Sequence, residues 1–248
     1  MSNLLRKFPV VFVVLFILAG CAKDEIPPNE KPLGTSSQDF LTDDRYTSMT
    51  LEIVYVEGFA PTAAALTELE NFLNTYLYKP DGIRIVTNSI PSPGVGDYSL
   101  QEVKQVESTY RSVFSSGTNL GVFIFFADNY SANDAASAGN GGIDKRSLGT
   151  AYRNTSIVIY ERSVLETGGN RSTIEHTTLR HEFGHLFGLV NNGTPAQSAH
   201  EYKDPNNSSE KGHCNVSGCL MSPTLDFSKG TMQLGSKCHE DLIANGGK

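Results

Sequence analysis

The sequence predicts an α/β domain built on a twisted, mostly parallel β-sheet with an antiparallel edge strand. Between residues 49 and 127, apolar runs rich in β-branched residues alternate with segments whose apolar residues have helical spacing. This alternation is typical of parallel sheets. Two short apolar runs follow, separated by Asn154 and Thr155, and they read as a hairpin that adds an antiparallel strand at the edge.

Each element has a local signature. Strands are expected at residues 49–56, 82–90, 120–127, 149–153 and 156–160. Helices are expected at residues 62–78, 99–114 and 172–187. The run Leu120–Ala127 is apolar throughout, which suits a central strand buried on both faces. Ser99 with Glu102, and Ser172 with Glu175, match the capping box that begins a helix.

The first twenty residues have the features of an export signal. Arg6 and Lys7 precede an apolar run that is too short to span a bilayer. The run ends in Leu-Ala-Gly-Cys21, which resembles the lipobox of bacterial lipoproteins, and the resemblance implies cleavage before an acylated Cys21. An ordinary secretory signal is the alternative. Residues 22–25 resemble the surface-export tag of Bacteroidetes lipoproteins. We therefore expect an outer-membrane lipoprotein that is exposed at the cell surface, with a periplasm-facing one as the alternative.

Composition limits the partners. The net charge is −7 and Lys and Arg form no cluster, so nucleic acid is not an expected partner. With 39% hydrophobic and 19% charged residues, the chain is ordinary globular material. We expect residues 1–20 to be the signal peptide, residues 21–48 to be the lipidated cysteine and a flexible polar tether, and residues 49–248 to be one domain, as a monomer.

The third predicted helix carries a metal-binding pattern. His181, Glu182 and His185 form HExxH, followed by Gly188. Histidines four residues apart lie on one helix face, so both imidazoles can reach one zinc ion. Glu182 is rotated off that face and is placed to act as the general base for a zinc-bound water. Gly188 lies where the helix must end in a left-handed turn.

The pattern continues as HExxHxxG with a later methionine, and together with the strand order it resembles the metzincin clan of zinc peptidases. In that clan a third histidine stands at the position of Asn191, and asparagine is a poor zinc ligand. Residues 213–221, read as HCx4CxM, resemble a block of the archaemetzincins. That resemblance implies His213 as third ligand, after an insertion of about twenty residues like the one in leishmanolysin, and Met221 as the Met-turn residue.

Two alternatives for the third ligand stay open. His200 follows Asn191 by nine residues, and a loop of that length can bring it back to the ion. Asn191 itself, or water, is the other. Asp128, Asp134 and Asp144 could hold calcium, but their spacing matches no known loop, so a solvated loop is expected there.

Three cysteines remain once Cys21 is lipidated. Cys214, Cys219 and Cys238 all follow the zinc motif, and an odd number in an exported protein indicates either one disulfide with a free thiol or a metal site. The archaemetzincin resemblance implies a second, structural zinc, with Asp241 or His239 in the place of a missing fourth cysteine. Outside the cytoplasm we expect a disulfide rather than that metal site.

These observations predict a zinc-dependent endopeptidase with Glu182 as base and a peptide or protein substrate. The strand at residues 149–153 would bind the substrate main chain as an added strand. The alternative is a catalytically inactive surface lipoprotein that uses the same scaffold for binding, which the asparagine at position 191 supports. No cysteine lies between Cys21 and the motif, so a cysteine-based latency is not expected; Asp43 or Asp44 could block the metal instead.

Overall fold

The computed structural model describes residues 26–137, 146–203, 211–227 and 230–248. The predicted signal peptide, Cys21 and Asp144 lie outside these ranges. Within them, no helix combines the length and the hydropathy that crossing a membrane requires. The lipid anchor and the surface location therefore stay predictions.

The described chain contains five strands and seven helices. The strands are β1 (Ser48–Val56), β2 (Ile83–Ile90), β3 (Asn119–Ala127), β4 (Gly149–Arg153) and β5 (Ser156–Tyr160). The helices are α1 (Ser37–Leu41), α2 (Ala63–Tyr76), α3 (Leu100–Tyr110), α4 (Ala132–Ser137), α5 (Glu161–Glu166), α6 (Arg171–Leu186) and α7 (Ser236–Ala244).

The strands form one sheet in the order β2-β1-β3-β5-β4. All neighbours are parallel except β4, which pairs antiparallel with β5 at the edge. This confirms the predicted fold class. The central strand β3 is buried on both faces, as its apolar run predicts: Val122 and Ile124 face the core shared with α2 and α6, and Phe123 and Phe125 face the core shared with α3.

The prediction of a flexible tether is wrong for the part of residues 26–48 that the structure describes. Phe40 and Leu41 in α1 are fully buried. The Phe40 ring centroid lies 6.2 Å from that of Phe183 and 5.9 Å from that of Phe187, both in the α6 region. These two apolar side chains stand among polar residues in the sequence and so form no apolar pattern. Their burial against α6 stabilises the fold by ~2 kcal/mol per side chain.

One capping box is confirmed and the other is wrong. Ser99 and Glu102 exchange both hydrogen bonds at the start of α3. At the start of α6, however, Asn170 is the cap, and its side chain accepts from the N–H of Thr173. Glu175 instead turns into the protein, where it accepts hydrogen bonds from the N–H and hydroxyl of Thr62.

The region after β3 is more ordered than predicted. Residues 132–137 form α4 where a loop was expected. The carboxylate of Asp128 accepts hydrogen bonds from Ser92 and Tyr98, and one oxygen of Asp134 accepts two from Ser147. Asp128 thus connects the segment after β3 to Ser92 and Tyr98, and Asp134 connects α4 to the segment before β4.

A buried pair of carboxyl groups, one in α5 and one in α6, makes stability depend on pH. Glu161 and Glu175 are both fully buried and share Arg171 as their ion-pair partner. Burial, together with the charge of Glu175, raises the pKa of Glu161 to about 8. A raised folded-state pKa gives stability that is complete below about pH 4.5 and is lost as pH rises through about 8.

We therefore expect the Glu161→Gln variant, which mimics the protonated acid, to lose much of this pH dependence. The parent's free energy of unfolding should fall by about 2–4 kcal/mol between pH 5 and 8.5, and the variant's should fall by clearly less. Urea unfolding at both pH values measures this, with the exposed Glu70→Gln as control. Parallel pH curves for parent and Glu161→Gln would contradict it.

Candidate metal centre

Helix α6 carries the HExxH motif through the interior of the domain. Its residues from Ile174 to Leu186 are all buried, between α2 on one side and the β4 edge on the other. The helix ends at Leu186 with Phe187 as its C-cap, and Gly188 adopts a φ of 76°, where a side chain would be strained. The turn predicted at Gly188 is present.

Three imidazole rings meet beside this helix. His181 and His185 have their Nε2 atoms 3.2 Å apart, close to the ~3.3 Å expected for two tetrahedral ligands at zinc–nitrogen distances of ~2.05 Å. The ring of His213 lies 5.2 Å from that of His181 and 4.9 Å from that of His185, centroid to centroid. One potential ligand atom from each histidine falls within 4.8 Å of the others. The structure thus brings His213, and not His200, to the motif.

The outer nitrogens of the two motif histidines are held by neighbours. Nδ1 of His181 lies 2.7 Å from the carbonyl oxygen of Leu220, which can only accept, so the proton sits on Nδ1 and Nε2 is left with its lone pair. Nδ2 of Asn192 lies 3.0 Å from Nδ1 of His185, and turning this amide by 180° would put its oxygen there as an acceptor for the Nδ1 proton. The lone pair of His181 Nε2 therefore points into the cluster, as metal ligation requires, and that of His185 Nε2 does so when the Asn192 amide is turned.

Burial keeps these rings neutral. It lowers the pKa of His181 to about 4, and the pKa of His185 well below its ordinary value, with the neighbouring histidines acting in the same direction. Neutral imidazole is the form that binds a metal ion, so no proton competes at neutral pH. The donor chemistry of the cluster fits zinc.

Glu182 lies against the edge strand. The N–H of Ala151 in β4 donates a hydrogen bond of 2.7 Å to Oε2 of Glu182. Burial raises the pKa of this carboxyl group to about 8, partly offset by the Ala151 hydrogen bond. Gly149 allows the close approach, because a Cβ there would lie 3.1 Å from Cγ of Glu182 and 2.9 Å from Cγ2 of Thr178.

Met221 packs directly under the motif. A Cβ on Gly184, the residue before His185, would lie 2.2 Å from Sδ of Met221 and 2.9 Å from its Cε. Met221 is fully buried, and Cys214 N–H donates to its carbonyl oxygen. The residue predicted for the Met-turn is therefore in contact with the motif helix below the histidines.

This contact gives a test of the packing. We expect Gly184→Ala to destabilise the protein by about 1–3 kcal/mol, although alanine favours helix, because the methyl group overlaps the Met221 sulfur. Adding Met221→Ala removes the overlap, so the double variant should be less destabilised than the sum of the single ones. Urea unfolding measures all three. Additive losses would show that Met221 does not contact Gly184.

The second histidine candidate belongs to a separate cluster. His200 is fully buried with its Nε2 atom 3.7 Å from Sγ of Cys238, and Cys219 Sγ lies 3.5 Å from the same sulfur. His200, Cys214 and Cys238 each place a ligand atom within 4.8 Å of the others. All three cysteines are free thiols, so the expected disulfide is not formed.

The thiols influence one another strongly. Hydrogen bonds from Cys214 and Cys238 lower the pKa of Cys219 below its ordinary value, and the same contacts raise the pKa of Cys238. Of the proposed substitutes for the missing cysteine, Asp241 lies 3.3 Å from Nε2 of His200, whereas the ring of His239 packs on Tyr76 outside the cluster. His200, which the sequence offered as an alternative third ligand of the first centre, instead joins Cys214 and Cys238, and Cys219 contacts Cys238.

A short antiparallel pairing separates the two histidines. The N–H of Tyr202 donates to the carbonyl of His213, and the N–H of Asn215 donates to that of His200. Glu201 and Cys214 form the bridge between these bonds. Side chains alternate along such a pair, so the adjacent His213 and Cys214 reach different clusters. Asn191 reaches neither, since its amide contacts Glu201 and the N–H of Ala196.

Comparisons with known proteins found likenesses among solved structures. No protein-family model and no curated protein matches the chain. Among solved structures, the chain is similar to an archaemetzincin. That protein, from Methanopyrus kandleri, is 16% identical with a TM-score of 0.49, over 80% of this chain and 96% of the other.

A second solved structure is metalloproteinase-II from Bacteroides fragilis, 13% identical with a TM-score of 0.45. The match covers 88% of this chain and 58% of the other, so the chain spans a little over half the length of that protein. Neither likeness assigns a role to a residue of this chain.

Proposed function

We propose that the chain is a zinc-dependent endopeptidase, with His181, His185 and His213 as the zinc ligands. The observation that carries the proposal is the convergence of three imidazoles, two of them kept neutral by burial, beside a buried carboxyl group that the edge strand holds in place. A core or surface histidine cluster would not need its outer nitrogens fixed by Leu220 and Asn192.

Zinc bound there would polarise the scissile carbonyl and lower the pKa of a water molecule toward about 7. Glu182 accepts the proton of this water and passes it to the leaving amine. The N–H of Ala151 holds the carboxylate on the side of the cluster that faces β4.

Strand β4 provides the place for a peptide. Within the described ranges it pairs with β5 on one side only, so its other edge offers backbone groups to an extended substrate. The strand runs directly past Glu182, which brings a scissile bond on that edge close to the base.

We further propose a second zinc ion, structural in role, on Cys214, Cys219, Cys238 and His200. Three sulfurs and one imidazole are a common structural zinc set, and His200, Cys214 and Cys238 place their ligand atoms within 4.8 Å of one another. Zinc bound by the thiolates, in place of a disulfide, would hold the C-terminal segment that carries His213 and Met221.

We also propose that lipid on Cys21 holds the protein to the outer membrane and that its folded domain faces outward.

The test is hydrolysis of a quenched fluorescent peptide library by the full-length protein purified in detergent. We expect cleavage that a chelator abolishes and added zinc restores. The alternative, an inactive binding module, predicts no cleavage at any zinc concentration. Its main support was Asn191, and the position of His213 weakens that support.

A further inference from the structure

One carboxylate, that of Glu201, connects two parts of the loop between the motif helix and His213. Its Oε2 accepts a hydrogen bond of 3.0 Å from the side-chain amide of Asn191, in the turn that follows Gly188. Its Oε1 accepts a hydrogen bond of 3.1 Å from the N–H of Gly212, the residue before His213. Glu201 thus bridges the end of the motif helix and the segment that carries the third imidazole.

Asn191 is held at its end of this bridge by a second hydrogen bond. Its side-chain oxygen accepts the N–H of Ala196 at 2.8 Å, so its side-chain nitrogen is the atom that faces Glu201. Its φ is 62°, a left-handed conformation that asparagine adopts more readily than most other residues. Both polar atoms of this side chain are therefore used within the loop, and none is left to reach the three imidazoles.

The residue after Asn191 lies between the two sides of the metal centre. The side-chain amide of Asn192 lies 3.0 Å from Nδ1 of His185, on the motif helix. On its other side, a Cβ on Gly212 would lie 3.5 Å from both Cγ and Nδ2 of Asn192, so one methyl group would fill the space between these two residues. The turn and the segment before His213 therefore run side by side next to the imidazoles.

Backbone pairing alone does not set the distance between this segment and the turn. The hydrogen bonds between residues 200–202 and 213–215 join these two segments to each other and not to the turn. Glu201 lies in the middle of the pairing, opposite Cys214, and its side chain extends from there to the turn. The carboxylate therefore supplies a connection that the backbone pairing lacks.

We infer that Glu201 is a positioning residue for metal binding, because its carboxylate holds the segment that carries His213 against Asn191. This inference rests on the proposed function for the identity of the histidine site. Zinc–nitrogen bonds of ~2.05 Å tolerate little displacement of a ligand. Without the bridge, binding of the ion must itself order the segment, and the entropy lost in that ordering lowers the metal affinity of the site.

The test is titration of the metal-free, full-length protein in detergent with Co²⁺, after one equivalent of Cd²⁺ has filled the thiol cluster. Cadmium prefers the thiols and has no visible bands, whereas cobalt on the histidines gives visible d–d bands. We expect Glu201→Ala to weaken Co²⁺ binding at the histidines about 10-fold, since removing the outer partners of a metal site costs roughly 10–100-fold in affinity. Glu240→Ala, which removes an exposed carboxylate from α7, is the matched control and should bind Co²⁺ as the parent does.

A double-mutant cycle separates loss of the bridge from loss of charge. Asn191→Ala breaks the bridge at its other end without changing the charge, and it should also weaken Co²⁺ binding. The double variant should bind no more weakly than the weaker single variant, because both substitutions remove one connection. Losses that multiply in the double variant, or an unchanged affinity in Glu201→Ala, would overturn the role of Glu201 but not the peptidase. Absence of histidine-bound cobalt in the parent, with and without Cd²⁺, would overturn both.

Discussion

Glu182→Gln is expected to lower kcat/KM for peptide hydrolysis by about 10²–10⁴ while the zinc content stays at the parent's value. Glutamine has the same shape, and its amide oxygen can still accept the Ala151 N–H, so the edge strand and α6 keep their positions. What the variant loses is the ability to take a proton from water. The expected loss is therefore in turnover and not in folding or metal binding.

The measurement pairs steady-state kinetics with elemental analysis of the same samples. Glu70→Gln, an exposed carboxylate on α2, is the control and should match the parent in both. Hydrolysis by Glu182→Gln at the parent's rate would mean that another group is the base. Loss of zinc in this variant would mean that Glu182 is a ligand.

Elements whose signal is local were predictable from the sequence. The apolar run of β3, the helical spacing in α2 and the capping box of α3 each depend on residues within a few positions of one another. The HExxH motif is of this kind too, because one helical turn places its two histidines on one face. The hairpin β4–β5 followed from two adjacent short runs.

Features that depend on distant partners were not predictable. Residues 26–48 read as a polar tether because Phe40 and Leu41 are isolated in the sequence, and only contact with α6 shows why they are buried. Likewise Glu175 has the spacing of a capping residue, but Thr62, which is 113 positions away, binds its carboxylate. In both cases tertiary contacts override the local pattern.

The third histidine was ambiguous for a physical reason. A loop as long as the one after Gly188 can return either His200 or His213 to the motif, and nothing local distinguishes them. The distinction comes from the pairing of residues 200–202 with 213–215, whose side-chain alternation sends the two histidines to different clusters. Asn192 was not predicted because a single polar residue forms no pattern.

Because His200 and His213 lie in different clusters, each substitution should remove a different zinc ion. At saturating zinc we expect two zinc ions per parent chain. His213→Ala should lose one zinc and all hydrolysis, and its unfolding temperature should fall only by the contribution of that bound ion, because the two other ligands lie on the intact helix α6. His200→Ala should also lose one zinc, but it should lower the unfolding temperature, because its ion fixes the segment from Cys214 to Cys238.

His239→Ala is the matched control, since its ring packs on Tyr76 outside both clusters, and it should retain two zinc ions. Elemental analysis and thermal unfolding on the same preparations separate the outcomes. Retention of both ions by His213→Ala would remove this residue from the catalytic centre. If the parent binds a single zinc ion that His213→Ala loses and His200→Ala keeps, the thiol cluster holds no metal. The two substitutions should differ in their effect on stability because His181 and His185, the other ligands of the first centre, lie on one helix. The residues of the second cluster lie on separate C-terminal segments that their ion would hold together.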